Sequence, residues 1–326
     1  MKWQKFITVT MGGGFLLASA LVLPASAQLQ DNVPGSFLVF PVYDIRPGTS
    51  TQIRICDTNN GPRGGAATNV RLNFVCPGQL PPGDTFCDEF DTDLALTFHG
   101  CAVIDVASQL PPCDQGFIVA FAENDNFQPV SYNFLIGSEN ITTGAVSSAT
   151  NAIAIQSPQA RGTVLAIPDP DTGLTPLTFG GVGADYAPLP STLFSDFRAV
   201  GAVPGGLTDL VLLTLDVTSG AENPKARANI NFWNANEVPF STSTEFVCWE
   251  RRPLQAIDAH FTAAGLGTPT GSLRVVGVPT CPAAGFCPPV PTYNPALLGA
   301  LIETTPGQTL RTLFHTGTKN TVYIPE

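Results

Sequence analysis

Charge is scarce in this chain: Asp, Glu, Lys and Arg together make up 13% of its 326 residues, against roughly 25% in ordinary globular proteins. The surface must therefore be built largely from Thr, Ser, Asn, Gln, Gly and Pro. Lysine is rarer still, with only Lys225 and Lys319 beyond the first five residues. The formal charge of −11 becomes −13 without Lys2 and Lys5, and no basic stripe offers nucleic acid or an anionic lipid surface an electrostatic footprint. No Cys-x-x-Cys occurs, which weakens zinc and thioredoxin-like readings. Gly-x-Ser-x-Gly, His-Glu-x-x-His and the phosphate loop are absent too. GGVGAD around Gly181 has no βαβ unit around it to make it a dinucleotide fingerprint. Helical periodicity over ten residues without a Gly or Pro break is almost missing.

What is present points outside the cytoplasm. The opening MKWQKFITVTMGGGFLLASALVLPASAQ carries Lys2 and Lys5 before a short apolar run, with Ala25 and Ala27 at the minus-three and minus-one positions of a cleavage site. The run is Gly-interrupted and shorter than the roughly 20 residues a membrane span needs. Residues 1–27 thus read as a signal peptide, and no later segment reads as a span. Eight cysteines, none of them in that leader, fit an oxidising compartment. Loops rich in Pro favour Cys101 with Cys113, Cys281 with Cys287, and Cys76 with Cys87, leaving Cys56 and Cys248. Five cysteines in the first half and three in the second require either a bond between the halves or two free thiols.

The remainder alternates short β-branched and aromatic runs with Gly, Pro and Asn clusters: SFLVFPVY, TQIRIC, NVRLNFVC, GFIVAF, NAIAIQ. That is an all-β pattern. The second half repeats the order, with SFLVF answered by TLFSDF, RLNFV by NINFW, and GFIVAF by GSLRVV. Each strand must bury one face against another sheet. The expected architecture is two tandem β-sandwiches, Ig-like or jelly-roll-like, at 28–168 and 190–326, with 169–189 as linker by composition. One large β fold is the alternative.

The densest chemistry lies in CWERRPLQAIDAH, residues 248–260. Without a gap, Cys248, Glu250 and His260 align on Cys87, Glu89 and His99, a Cys-x-Glu followed ten residues later by His in each half. This invites a metal site, or a thiolate nucleophile with an imidazole base. A catalytic pair also needs an orienting group and an oxyanion donor, and none can be nominated. The favoured reading is scaffold: a bonded Cys, a packed Trp249, and solvated Arg251 and Arg252. DPDTG, with Asp169 and Asp171, has part of a calcium loop but no third ligand or distal Glu in register. In DEFDTD, extended chain puts Glu89, Asp91 and Asp93 on one side, as paired carboxylates for glycoside hydrolysis or as a charged edge strand. Asn140-Ile-Thr142 is a glycan acceptor only in a eukaryotic secretory path.

The spaced motifs FLVFPVYDIRPG, CDEFDTD, PVSYNFLIG, YAPLP and FVCWERRPL resemble a loosely defined set of uncharacterised secreted bacterial proteins with duplicated β-sandwich units. That resemblance implies export and fold, and no activity. The expected function is a secreted, non-enzymatic structural or interaction protein of the cell exterior, whose partners are other copies of itself, cell-surface proteins or polysaccharide. The alternative is a carbohydrate- or small-ligand-binding module, with Trp233, Trp249, Tyr132 and Tyr293 as stacking platforms. A secreted hydrolase ranks last, and no cofactor is expected, calcium being the one alternative weighed. Cleavage after Ala27 predicts Gln28 as the mature N-terminus, which the intact mass of exported protein checks; a retained Met1 would refute export.

Overall fold

In the computed structural model, the described residues are 33–61, 66–80, 87–167, 174–215, 225–278, 296–304, 307–316 and 321–325. Their apolar runs pair into antiparallel sheets, and the fold is all-β. The first half forms β1 (Phe37–Asp44), β2 (Thr49–Asp57), β3 (Ala66–Val75), β4 (Glu89–Thr97), β5 (Cys101–Asp105), β6 (Gln115–Glu123), β7 (Leu135–Thr143), β8 (Val146–Asn151) and β9 (Ile153–Ile155). These make a five-stranded sheet, β4-β3-β6-β1-β9, and a four-stranded sheet, β5-β2-β7-β8. After β10 (Leu174–Thr178), the second half forms β11 (Thr192–Arg198), β12 (Leu207–Thr214), β13 (Ala226–Asn234), β14 (Pro239–Phe246), β15 (Trp249–Pro253), β16 (Thr270–Val278), β17 (Leu297–Thr304), β18 (Gln308–Thr312), β19 (Phe314–Thr316) and β20 (Thr321–Pro325). Its sheets run β14-β13-β16-β11-β19 and β15-β12-β17-β18, the same order position by position.

Periodicity explains the layering. Strands facing solvent on one side alternate: in β2 Thr51, Ile53 and Ile55 are buried while Ser50, Gln52 and Arg54 are exposed. Likewise, β13 buries Ala226, Ala228, Ile230 and Phe232 and exposes Arg227 and Asn229. By contrast, every residue of β1 is buried, as is nearly all of β6, β12 and β17. A strand buried throughout must be covered on both faces. Leu38, Phe40 and Tyr43 of β1 enter the core between the two first-half sheets, while Phe37, Val39 and Val42 enter a different core. β12 divides in the same way, with Leu210 and Leu212 in the core of the second sandwich and Val211 and Leu213 in that shared one.

Among the described residues the four larger sheets therefore stack around three cores, and the middle core joins the two sandwiches face to face. The segment read as a linker takes part in it. β10 pairs with β20, and Leu177, Phe179, Tyr186 and Leu189 are buried in the middle core. Composition placed a connector where the chain in fact supplies a plug of large side chains. Tyr186 stacks on Phe179 at 5.1 Å between ring centroids, and both pack edge-on against Phe37.

β1 also carries Pro41, which has no N–H for the ladder and is tolerated in an inner strand only at a bulge. The pairing with β6 indeed slips between Phe40↔Ile118 and Tyr43↔Gly116. Gly116 is needed there, because a Cβ would lie 2.0 Å from the Val75 carbonyl.

Beneath the bulge sits Glu139 of β7, 1% exposed, its carboxyl facing the Val42 N–H without a well-formed hydrogen bond to either oxygen. Burial pushes its pKa well above the ordinary 4.5, and the Val42 N–H offsets only part of this. A carboxyl raised in the folded state holds its proton where the unfolded chain has lost it. Stability is thus full below about pH 4.5 and falls as pH rises toward the folded value. Glu139→Gln is expected to raise stability at pH 8 and flatten its decline above pH 5, measured by urea unfolding across pH; an unchanged slope would count against the assignment.

Candidate functional site

The stretch richest in chemistry turns out to be the junction between the sandwiches. The chain leaves β14 in the outermost sheet of the second sandwich and enters β15 in its inner sheet, switching layers at Val247 and Cys248. The switch needs a sharp turn. Cys248 adopts φ +57°, a left-handed conformation unusual for a side chain other than Gly, Asn or Asp, and the Trp249 N–H donates to the Val247 carbonyl at 2.6 Å.

Successive residues then bind the first sandwich. The Gly78 N–H donates to the Val247 carbonyl at 3.2 Å. A Cβ on Gly78 would fall 2.6 Å from Val247 Cγ1, so only glycine permits this approach. Cys248 is bonded to Cys87, which precedes β4. The Trp249 indole, 4% exposed, donates to the Pro41 carbonyl at 2.9 Å, capping an oxygen at the β1 bulge. The Arg251 guanidinium bridges Asp44 Oδ2 of β1 and Asp209 Oδ2 of β12, each at 2.8 Å.

Asp44 is almost fully buried and also accepts from Arg46 and Gln115. Burial alone would raise its pKa, but the Arg46 hydrogen bonds and the charges of Arg46 and Arg251 together hold it below the ordinary carboxylate value. Paired on all sides in this way, a buried carboxylate is retained as an ion.

Several expectations are corrected here. Cys56 pairs with Cys101 and Cys76 with Cys113, so neither Cys101–Cys113 nor Cys76–Cys87 forms. Loop proximity favoured the local bonds, but the register of β2 on β5 sets Cys56 directly opposite Cys101. The bond between the halves exists as Cys87–Cys248. Cys281, Cys287 and Tyr293, like Asp169 and Asp171, lie outside the described residues.

The aligned Cys, Glu and His do not occupy equivalent places. Cys87 precedes β4, whereas Cys248 precedes β15, the counterpart of β5. With Cys87 bonded to Cys248, neither sulfur is a free thiolate. Glu89 receives Asn73 Nδ2 at 2.5 Å, and Glu250 accepts from Thr244 and pairs with Arg252 at 2.5 Å. Burial raises both carboxyls, against those partners. His99 is exposed in the β4–β5 turn, and exposed His260 meets Asp258 at 2.8 Å. Among the described residues no three of His, Cys, Asp and Glu converge as a metal would require. Arg251, expected in solvent, is instead an inter-sandwich bridge.

DEFDTD is an edge strand, as β4 closes its sheet, and Arg71 pairs with Asp91 and Asp93 on its acidic side. Close by, at the end of β6, Glu123 is 2% exposed, its carboxyl oxygens shut off from solvent beside the carboxyl of Asp93. Burial, reinforced by the charge of Asp93, pushes its pKa up to about 7. It lines a groove of about 410 Å³ with Asn69, Asp125, Tyr132 and Arg161. Sequence reading missed this carboxylate, which only the FAEND boundary at the end of β6 hints at.

Tyr132 is no stacking platform: it is 4% exposed, its hydroxyl donates to Asp57 and accepts from Asn59, and Arg161 covers its ring at 5.2 Å. Buried Trp249 is not one either, and Trp233, half-buried at the end of β13, remains.

No protein-family model and no curated protein matches the chain. Among solved structures, the crystal structure of a Lactobacillus farciminis oxalate decarboxylase formate complex aligns over 88% of this chain and 75% of its own, at 9% identity and a TM-score of 0.16. Neither fold nor chemistry transfers at that level.

The junction predicts that Trp249→Phe, which keeps the ring but strands the Pro41 carbonyl, costs about 1–3 kcal/mol. Urea unfolding measures this, and a neutral outcome would show the indole bond to be dispensable.

Proposed function

We propose that the chain is an exported, non-enzymatic structural or interaction protein of the cell exterior that works as one stiff body. The observation that supports this reading is the junction: Cys248, Trp249 and Arg251 all tie one sandwich to the other. Three disulfides and a doubly buried middle core suit a protein that must keep its shape without chaperones. No helix among the described residues is long and apolar enough to cross a membrane. Strand edges are blunted by the acidic β4, by Pro239 and Glu245 on β14, and by three-residue β9 and β19. Contacts with polysaccharide, surface proteins or further copies therefore belong to the polar outer faces rather than to sheet extension.

The second reading, a module that binds carbohydrate or another small ligand, draws on the Glu123 groove. Its polar lining of Asn69, Asn124, Asp125 and Arg161 offers donors and acceptors to a hydroxyl-rich ligand. Co-sedimentation of the purified protein with cell-wall polysaccharide, run beside a panel of glycoside, ester and peptide substrates, tests both readings. The expected result is retention or self-association without turnover. Asp125→Asn abolishing retention would favour the second reading, and substrate turnover that follows the protein through repurification would overturn both.

A further inference from the structure

The three disulfides among the described residues differ in their surroundings. Cys87 and Cys248 are 4% and 0% exposed, and Cys76 is 3% exposed with its partner Cys113 half-buried. Cys56 and Cys101 instead lie on the outward face of β2 and β5, with Cys101 exposed. Their bond joins residues that the ladder already holds opposite one another, since Gln52 to Cys56 pair with Asp105 to Cys101. It is thus the bond whose opening leaves the backbone hydrogen-bonding scheme in place.

Its two sulfurs are unlike. The Arg54 guanidinium donates to Cys101 Sγ at 3.4 Å. On the other side, a groove of about 360 Å³ runs over β7, lined by Cys56 and Arg54 of β2, Ile136 and Ser138 of β7 and Asn151 at the end of β8. Cys101 is not part of that lining. Exposed Val103 and Ile136 flank the bond, giving apolar footing on an otherwise polar face. A nucleophile entering along this groove meets Cys56 first, with Cys101 behind it as the leaving group.

We propose that Cys56–Cys101 is a thiol–disulfide exchange site that takes a low-molecular-weight thiol. The external thiol gives its proton to solvent, and its thiolate sulfur bonds to Cys56 Sγ as the Cys56–Cys101 bond breaks. Cys101 leaves as a thiolate beside the Arg54 guanidinium. One disulfide is exchanged for another, with no net oxidation. A cation beside the leaving sulfur lowers its pKa, and a lower leaving-group pKa speeds exchange. This inference is independent of the functional reading above.

The experiment treats the purified full chain with reduced glutathione under native conditions, quenches with an alkylating agent, and maps peptides without further reduction. The expected products are glutathione on Cys56 and alkylated Cys101, with Cys76–Cys113 and Cys87–Cys248 intact. Arg54→Gln is expected to slow adduct formation about fivefold or more, with Arg54→Lys restoring most of the rate. Circular dichroism checks that both variants remain folded. An adduct on Cys101, equal rates in wild type and Arg54→Gln, or opening of all three bonds only on unfolding would each overturn the proposal.

Discussion

A proline sits in the middle of a strand that is buried on both faces, and the stack is organised around accommodating it. β1 has no solvent side on which an unpaired backbone group can be hydrated, and a buried polar group left without a partner is costly. Pro41 removes one donor outright. The bulge that absorbs it shifts the pairing with β6 and releases neighbouring backbone groups from the ladder. Each released group then needs a partner from another layer. The Pro41 carbonyl obtains the Trp249 indole from the second sandwich. The Val42 N–H faces Glu139 from the other sheet of its own sandwich. A local irregularity in one strand thus specifies contacts on both sides of it.

The same constraint accounts for the charges. Just after the bulge, Asp44 is carried into the middle of the stack, where an isolated carboxylate would be untenable. Arg46, Gln115 and Arg251 surround it, and Arg251 in turn reaches Asp209. Such a network is weak as a source of stability beside apolar packing but strong as a specifier of register, because a slip of either sandwich would leave a charge unmatched. The middle core, made mostly of Val, Leu, Ile, Ala and aromatic side chains, is non-directional and tolerates sliding on its own. The Cys87–Cys248 bond and the Arg251 bridge supply the direction that core lacks.

Much of this could be read from the residues. Period-two alternation in TQIRIC and unbroken apolarity in SFLVFPVY and GFIVAF distinguish outer from inner strands, and the repeated order of motifs matches the repeated sheet order. What escaped was long-range. The equal spacing of Cys, Glu and His in the two halves is coincidental in structure, since β14 and β15 take the chain through a layer switch that a gapless alignment cannot represent. Disulfide partners escaped for a similar reason. Cys56 and Cys101 are neighbours across a ladder and distant along the chain, so loop length carried no information about them. The composition of DPDTGLTPLTFGGVGADYAPLP reads as a linker, yet Phe179 and Tyr186 within it are among the most buried aromatics of the fold.

Scarcity of charge, finally, makes the position of each charge informative. In a surface rich in Lys and Glu, an Arg near an Asp signifies little, because exposed ion pairs contribute marginally and form by chance. Here the polar burden of the outer faces falls on Ser, Thr, Asn and Gln, and the residual ions gather where geometry must be fixed. Arg251 lies between two sandwiches, Arg311 ties β18 to Asp196 and Glu303, and Arg71 neutralises the acidic edge at β4. Arg54 stands apart from these: it meets a sulfur on an open face rather than a carboxylate at a seam. A guanidinium set against an exposed disulfide marks that bond as different in kind from Cys87–Cys248, which joins the two sandwiches, and from Cys76–Cys113, which lies largely buried within the first.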